Sequence, residues 1–335
     1  MNIIKSIDKK VKKINSSLSP KAKKDIKVLK FFFIGMIFVC AAISVIIVMG
    51  SYVGNRNFRE TFYSTSSIKV DSRVRVIQLS DMHRSSYGKN NQKLLNRIRA
   101  LEPDIIICTG DMVNSVDKDA DFAVNLGEKL AQIAPSYYIY GNNEVDGVYD
   151  FALNKESLDT KFGFDDDSRD ETVLAEIKDP FRDRLEGAGI KVLKNIKDTV
   201  GIKNMTVDVY GVLTSNPSAF WPYAGKSFSD YLYEDADNLK ITAMHEPVML
   251  EELTGEYWGD LILGGHTHGG VMRIPVIGPL YTHEGGFLPE RGGAYVYGRY
   301  DVTGTPLIVS GGLENKNILR INNPPELVVI DINKF

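Results

Sequence analysis

The chain opens lysine-rich and then turns uniformly apolar from Phe31 to Gly50, "FFFIGMIFVCAAISVIIVMG". A helix packed on one side of a core keeps a polar stripe at helical spacing, whereas here Ser44 is nearly the only polar side chain. No charge interrupts a run of about the 20 residues that a helix needs to cross a bilayer. The pattern predicts a transmembrane helix over 31–52, after a basic tail over 1–30 and before a polar juxtamembrane linker over 53–71. A cleaved signal peptide fits less well, because no small-residue cleavage site follows the apolar run.

A different rhythm begins at Val74, in short apolar runs separated by helical stretches. "VRVIQLSD", "PDIIICTGD" and "SYYIYGN" read as buried strands, with "NQKLLNRIRALE" and "DFAVNLGEKLAQI" as the helices between them. Such alternation predicts an α/β layered domain with a partly parallel sheet, occupying 72–335. Residues 145–179 break the rhythm, and "DDDSRDE" within them reads as a solvated acidic insertion. "FRDRLEGAGIKVLKN" resumes as helix, glycine stop and strand. Beyond it lie six further strand candidates: "MTVDVYGVL", "KITAMHE", "GDLILGGHTHGG", "AYVYGRYDV", "TPLIVSGGL" and "PELVVIDI".

Charge sharpens this division. Residues 1–30 hold ten lysines against two aspartates, +8, so the net −3 of the chain leaves −11 on the remainder. A mildly acidic body is not expected to bind nucleic acid. Lysines before the apolar run, with only Arg56 and Arg59 just after it, predict a cytoplasmic N-terminus and a body outside the cytoplasm. The lipid bilayer is thus an expected partner. Cys40 lies in the apolar run and Cys108 in "DIIICTGD", so no disulfide framework is expected.

The chemistry gathers where apolar runs end. Asp81, His83, Asp111, Asn142, His245, His266 and His268 each follow such a run, and ligands in open α/β sheets collect beyond the carboxyl ends of strands. A lone histidine there is commonly structural, but His266 and His268 stand in "GGHTHGG", where glycines let backbone and ligands crowd together. Imidazole with carboxylate suits manganese, iron or zinc. Seven ligands exceed one tetrahedral ion and match two divalent ions sharing a bridge. Paired metals clamp the attacking and leaving oxygens of an in-line displacement and acidify a bound water, which suits hydrolysis of a phosphate ester.

The blocks "SDMH", "TGDMVN", "GNNE", "MHEP" and "GGHTHGG", in this order, resemble the calcineurin-like metallophosphoesterases over about residues 72–333. "LRINNPPELVVI" is similar to the C-terminal segment of membrane-anchored bacterial members. The resemblance implies two facing mixed β-sheets flanked by helices. It also implies a first metal on Asp81, His83 and His268, Asp111 as bridge, and a second metal on Asn142, His245 and His266.

One position departs from the pattern. The family usually has histidine where Asn143 stands, facing the scissile phosphate, and an amide can donate a hydrogen bond but no proton. Asn143 and Asp111 are the expected catalytic residues, with a substrate whose leaving group needs little protonation. His283 is a weaker candidate for a substitute acid. Arg84 and Tyr87, just after the first block, are expected to touch substrate phosphate. Some family members that act on nucleotide-linked lipid pyrophosphates resemble this pattern in lacking that histidine, so a phosphorylated or lipid-linked substrate is expected. The alternative is a catalytically weak metal-binding module on the same fold.

Overall fold

The computed structural model describes residues 19–114, 116–145, 179–213, 233–248, 250, 259–282, 285–316, 318 and 320–335. Most of the acidic insertion and His283 lie outside the described residues. The chain divides into two units, Met1–Gly50 and Ser51–Phe335.

Helix α1 runs Pro20–Gly54, through the first unit and into the start of the second. It begins inside the basic tail rather than at Phe31, because nothing in "PKAKKDIKVLK" breaks a helix once proline has started it. Its stretch Pro20–Val45 contains an 18-residue segment with a mean hydropathy of 2.4 and is long and apolar enough to cross a membrane.

In the second unit the chain forms β1 (Arg59–Ser67), β2 (Val74–Leu79), α2 (Gln92–Ala100), β3 (Ile105–Thr109), α3 (Val116–Ala131) and β4 (Ser136–Ile139). It continues through α4 (Pro180–Gly187), β5 (Lys191–Val192), β6 (Ile196–Ile202), β7 (Met205–Val212), β8 (Leu239–Met244) and β9 (Leu261–Gly264). Four two-residue strands follow: β10 (Arg273–Ile274), β11 (Gly278–Pro279), β12 (Tyr281–Thr282) and β13 (Gly286–Phe287). The main strands close with β14 (Gly298–Val302), β15 (Thr305–Val309) and β16 (Glu326–Lys334).

Two six-stranded mixed sheets result, ordered β1-β16-β2-β3-β4-β5 and β14-β15-β9-β8-β7-β6. Strands β2 to β5 are mutually parallel, as are β7, β8, β9 and β15. Both faces of these strands are covered, so they read as continuous apolar runs. Val76, Ile107 and Ile139 of one sheet share a buried cluster with Val209, Ile241 and Leu263 of the other, which makes the sheets face each other. The opposite face of the first sheet packs Ile77, Leu79 and Cys108 against Leu94 and Ile98 of α2, Leu126 and Leu130 of α3, and Leu185 of α4. Asp179 caps α4 by accepting from the Arg182 N–H at 2.9 Å, with Pro180 at its first turn. The fold is therefore the sandwich expected, two mixed sheets flanked by helices.

The stretch expected to be a linker is partly sheet. Residues 59–67 form β1 at the sheet edge, paired in parallel with β16 from Arg59↔Glu326 to Ser67↔Lys334. Its sequence, "RETFYSTSS", is polar because one face meets solvent and only Ser67 is buried. Its partner lies at the far end of the chain, where no local pattern reveals it.

Candidate metal centre

Because the core strands of each sheet run parallel, their carboxyl ends gather the polar residues that follow them. Asp81 and His83 come after β2, Asp111 after β3, Asn142 and Asn143 after β4, His245 after β8, and His266 and His268 after β9. The chain turns away from each strand at once, and five of these residues take left-handed backbone: Asp81 (φ 48°), His83 (42°), Asp111 (52°), His266 (70°) and His268 (50°). Non-glycine residues rarely adopt such angles, and clusters of them mark sites where function holds strain in place. Glycine is required beside them. A Cβ on Gly141 would run into the Asp111 carboxylate, and one on Gly265 into Ser80 and Asp81.

Two groups of ligand atoms form, Asp81–His83–His268 and Asp111–His245–His266, the atoms of each lying within 4.8 Å of one another. In the first, His83 Nε2 faces His268 Nε2 at 3.2 Å, and His268 Nε2 lies 3.7 Å from Asp81 Oδ1. In the second, His245 Nε2 faces His266 Nδ1 at 3.2 Å and Asn142 Oδ1 at 3.1 Å. Asp111 Oδ2 joins the groups, 3.5 Å from both His83 Nε2 and His245 Nε2.

Proton placement shows what these contacts require. Asn114 donates from Nδ2 to the His83 carbonyl at 3.3 Å, so its Oδ1 is the atom that meets His83 Nδ1 at 3.1 Å. His83 Nδ1 must then carry the proton, which leaves Nε2 as a bare lone pair. In a neutral ring His245 Nδ1 donates to the Thr109 carbonyl at 2.8 Å and Nε2 is a lone pair facing amide and carboxylate oxygens, an arrangement that only a cation, proton or metal, relieves. Acceptors thus point at acceptors. Donors bound about 2.0–2.2 Å from one ion stand roughly 3.0–3.5 Å apart, as these do. The donor set fits divalent cations, and its nitrogen and oxygen mixture fits the transition metals.

The electrostatics agree. Burial disfavours charge on His245, but Asp111, Asp81 and the Thr109 carbonyl outweigh it and raise the group to about 10. Burial also opposes the Asp111 carboxylate, while His245 and His83 hold it well below the usual carboxylate range. His268 is pulled down to about 4 by burial, with Arg320 and His83 adding to the fall against Asp81. The site draws a positive charge between its carboxylates.

Several residues that shape this centre were not singled out from the sequence. Glu144 is fully buried and accepts from the backbone N–H groups of Asp111 (2.9 Å), Met112 (2.9 Å) and Gly141 (2.8 Å), and from the Tyr138 hydroxyl (2.7 Å). It therefore clamps the loop after β3 to the loop after β4. Burial and the neighbouring Asp111 charge raise its pKa. Arg320 is buried and donates to the Gly311 carbonyl at 2.6 Å, while its other end meets His268 Nδ1 at 3.4 Å. Asn323 donates to the His268 carbonyl at 2.6 Å. Glu144 and Asn114 stand inside "GNNE" and "TGDMVN", so their place in those blocks was the available signal; Arg320 carried none.

The remaining sequence-selected residues separate. Asn143 donates from its backbone to Asp111 Oδ1 at 3.0 Å and from its side chain to Asp111 Oδ2 at 2.6 Å. Arg84 is exposed, donates to Asp119 at 2.7 Å, and lines a cavity of about 520 Å³ with Asn125, Lys129 and Lys316. Tyr87 does not reach substrate. It is 1% exposed, donates to the Leu313 carbonyl at 2.7 Å, and packs edge-on against Phe58. Its ring is core, and its hydroxyl already has a partner.

Residues 74–270 match the calcineurin-like phosphoesterase family, and the chain belongs to it. It is a metallophosphoesterase, a hydrolase of phosphate esters. The chain is 29% identical over 265 residues to an uncharacterised metallophosphoesterase, YkuE, of Bacillus subtilis, covering 77% of this chain and 78% of that one. It is 25% identical over 264 residues to the phosphodiesterase YaeI of Escherichia coli, covering 77% and 82%. It is also 24% identical over 225 residues to the UDP-2,3-diacylglucosamine pyrophosphatase LpxG of Chlamydia trachomatis, covering 60% and 65%.

Proposed function

We propose that this protein is a membrane-anchored dinuclear phosphohydrolase that cleaves a phosphoester or pyrophosphate on a lipid-linked or envelope-associated substrate. The observation that carries the reading is Asp111 Oδ2, equidistant at 3.5 Å from a ligand nitrogen of each group. Asp81, His83 and His268 would hold one divalent ion, manganese, iron or zinc. Asn142, His245 and His266 would hold the other, with Asp111 between them. When bound, the pair supplies Lewis acidity and lowers the pKa of a water. Asn114 and the Thr109 carbonyl fix the tautomers of His83 and His245, and Glu144 positions Asp111.

Asn143 orients the Asp111 carboxylate and can donate one hydrogen bond to a substrate oxygen, but it delivers no proton. General acid help is worth roughly 10²–10⁴-fold, so the reading favours a leaving group that departs without it, as a phosphate monoester does from a pyrophosphate. The pyrophosphatase named among the relatives supports that substrate class. Arg84, beside Lys129 and Lys316, would bind a further anionic group of the substrate. Helix α1 would span the cell membrane once, with its lysine-rich side cytoplasmic and the second unit outside.

The test is hydrolysis of a chromogenic phosphodiester, a monoester and a lipid pyrophosphate by the manganese-loaded protein. The pyrophosphate should turn over fastest, and Asp111→Ala should abolish turnover. Two bound metals with no turnover of any substrate would instead favour a phospho-ligand binding module, the alternative that Asn143 raises. Asn143→His should speed poor leaving groups far more than good ones; equal effects would remove Asn143 from the leaving-group side.

A further inference from the structure

Three residues beyond His268 the chain leaves the sandwich for two short hairpins, β10–β11 and β12–β13. Backbone bonds from Leu280 N to Met272 O and from Leu288 N to Leu280 O, both 2.9 Å, join the hairpins side by side. Arg273 N donates to the Ile321 carbonyl at 2.9 Å, fixing this small platform to the body. Its outward side chains are apolar. Met272, Ile274, Val276, Ile277, Tyr281 and Phe287 are all exposed. Contiguous exposed apolar surface on a folded unit marks an interaction site. The one charge among the described residues of the hairpins is engaged, since Arg273 donates to the Gly269 carbonyl and lies 4.4 Å from the Tyr297 ring centroid.

Two details show that the surface is built to be apolar. Val276, at the turn joining β10 to β11, has φ 71° and a fully exposed side chain. A turn position with positive φ normally takes glycine or asparagine, and a β-branched residue there is a strained outlier. A valine at that tip is unfavourable in backbone and in water alike, so an apolar surrounding must compensate. In the second hairpin Tyr281 pairs directly with Phe287 across the strands, 56% and 70% exposed. Paired exposed aromatics suit the headgroup level of a bilayer.

The chain itself names the occupant. Only residues 55–58 separate the end of α1 from β1. Fully extended, such a segment reaches about 14 Å. A body on so short a tether stays at the bilayer surface. We propose that the paired hairpins, residues 271–282 and 285–288, are a membrane-docking surface that seats Val276, Ile277, Tyr281 and Phe287 in the lipid interface of the anchoring membrane. Thr282 and Gly285 of the second hairpin line a cavity of about 210 Å³ with His266, Pro247 and Tyr295, so docking would bring that cavity of the metal centre towards lipid headgroups. This inference rests on the membrane attachment proposed above, not on the reaction.

Spin labels on the full chain in anionic phospholipid vesicles test it without any turnover. Cys40, exposed on α1, takes a label directly, and Cys108 is buried. Labels at Val276→Cys and at Phe287→Cys, each in a Cys40→Ser background, are compared with one at Asn204→Cys on a hydrated turn. The ratio of oxygen to nickel-chelate accessibility at 276 and 287 should exceed that at 204 by roughly threefold or more, as for a shallowly buried apolar face. Hydrocarbon contact at Cys40 with aqueous values at 276 and 287 would overturn docking and leave the anchor standing. Aqueous values at Cys40 as well would overturn both. Label–label broadening at 276, with poor access for both reagents, would make the platform a contact between copies and overturn the lipid assignment.

Discussion

Strand β8 carries a buried polar cluster at each end, and the two differ in kind. Near its start, Lys240 and Asp208 are register partners on adjacent strands and both are fully buried. Lys240 Nζ donates to Asp208 at 3.1 Å and to the Glu234 carbonyl at 2.6 Å. Asp208 also accepts from Thr199 at 2.7 Å and from Asn238 at 3.2 Å. Every charge there meets its opposite within the chain. Just past the other end, His245 Nε2 meets two acceptors, Asn142 Oδ1 and Asp111 Oδ2, and the His266 ring nitrogen. Burial and charge density do not distinguish the two. The balance of donors against acceptors does, and the unbalanced cluster is the one that asks for a cation from outside.

The sharpest way to break that contrast is to remove the cation from each end. Lys240→Met strands a buried carboxylate and should cost about 3–5 kcal/mol, read as a lower denaturation midpoint. Turnover per folded molecule should stay unchanged; a specific loss of turnover would show that the two ends are not independent. Chelation removes the cation from the other end. It should abolish turnover and lower the midpoint reversibly, since ligand at a hundred times its Kd contributes about 2.7 kcal/mol. A midpoint indifferent to chelator would mean that the facing lone pairs are satisfied some other way.

Glu144→Gln keeps the shape but loses the charged acceptor under the Asp111 loop. It should cost about 1–3 kcal/mol and weaken metal binding roughly 10–100-fold, measured by titration of the apoprotein. The smallest effect belongs to Tyr87→Phe, which deletes one buried hydrogen bond worth about 1 kcal/mol. It should leave KM unchanged, whereas a raised KM would return Tyr87 to the substrate side.

The residues legible in the sequence were those at the ends of strands. The core strands are predominantly apolar, so Asp81, Asp111, Asn142 and His245 stand out where those runs end. The sandwich core was legible for the same reason. Arg320 was not, because it reaches the centre from a loop between β15 and β16 with no periodicity of its own. Tyr87 misled because position after a motif says nothing of direction, and Phe58 and Leu313 turn its ring inward. Strand β1 misled because an exposed edge strand has the composition of a linker.

The sheet order β1-β16-β2 also bears on how the molecule is assembled. The two strands nearest α1 in sequence do not pair with each other; each waits for residues 326–334 to come between them. Contacts so distant along the chain form late. Any chain halted before Glu326 would therefore carry an open β2 edge, a ready template for aggregation or proteolysis. The first sheet therefore stays open at its centre until residues 326–334 are in place.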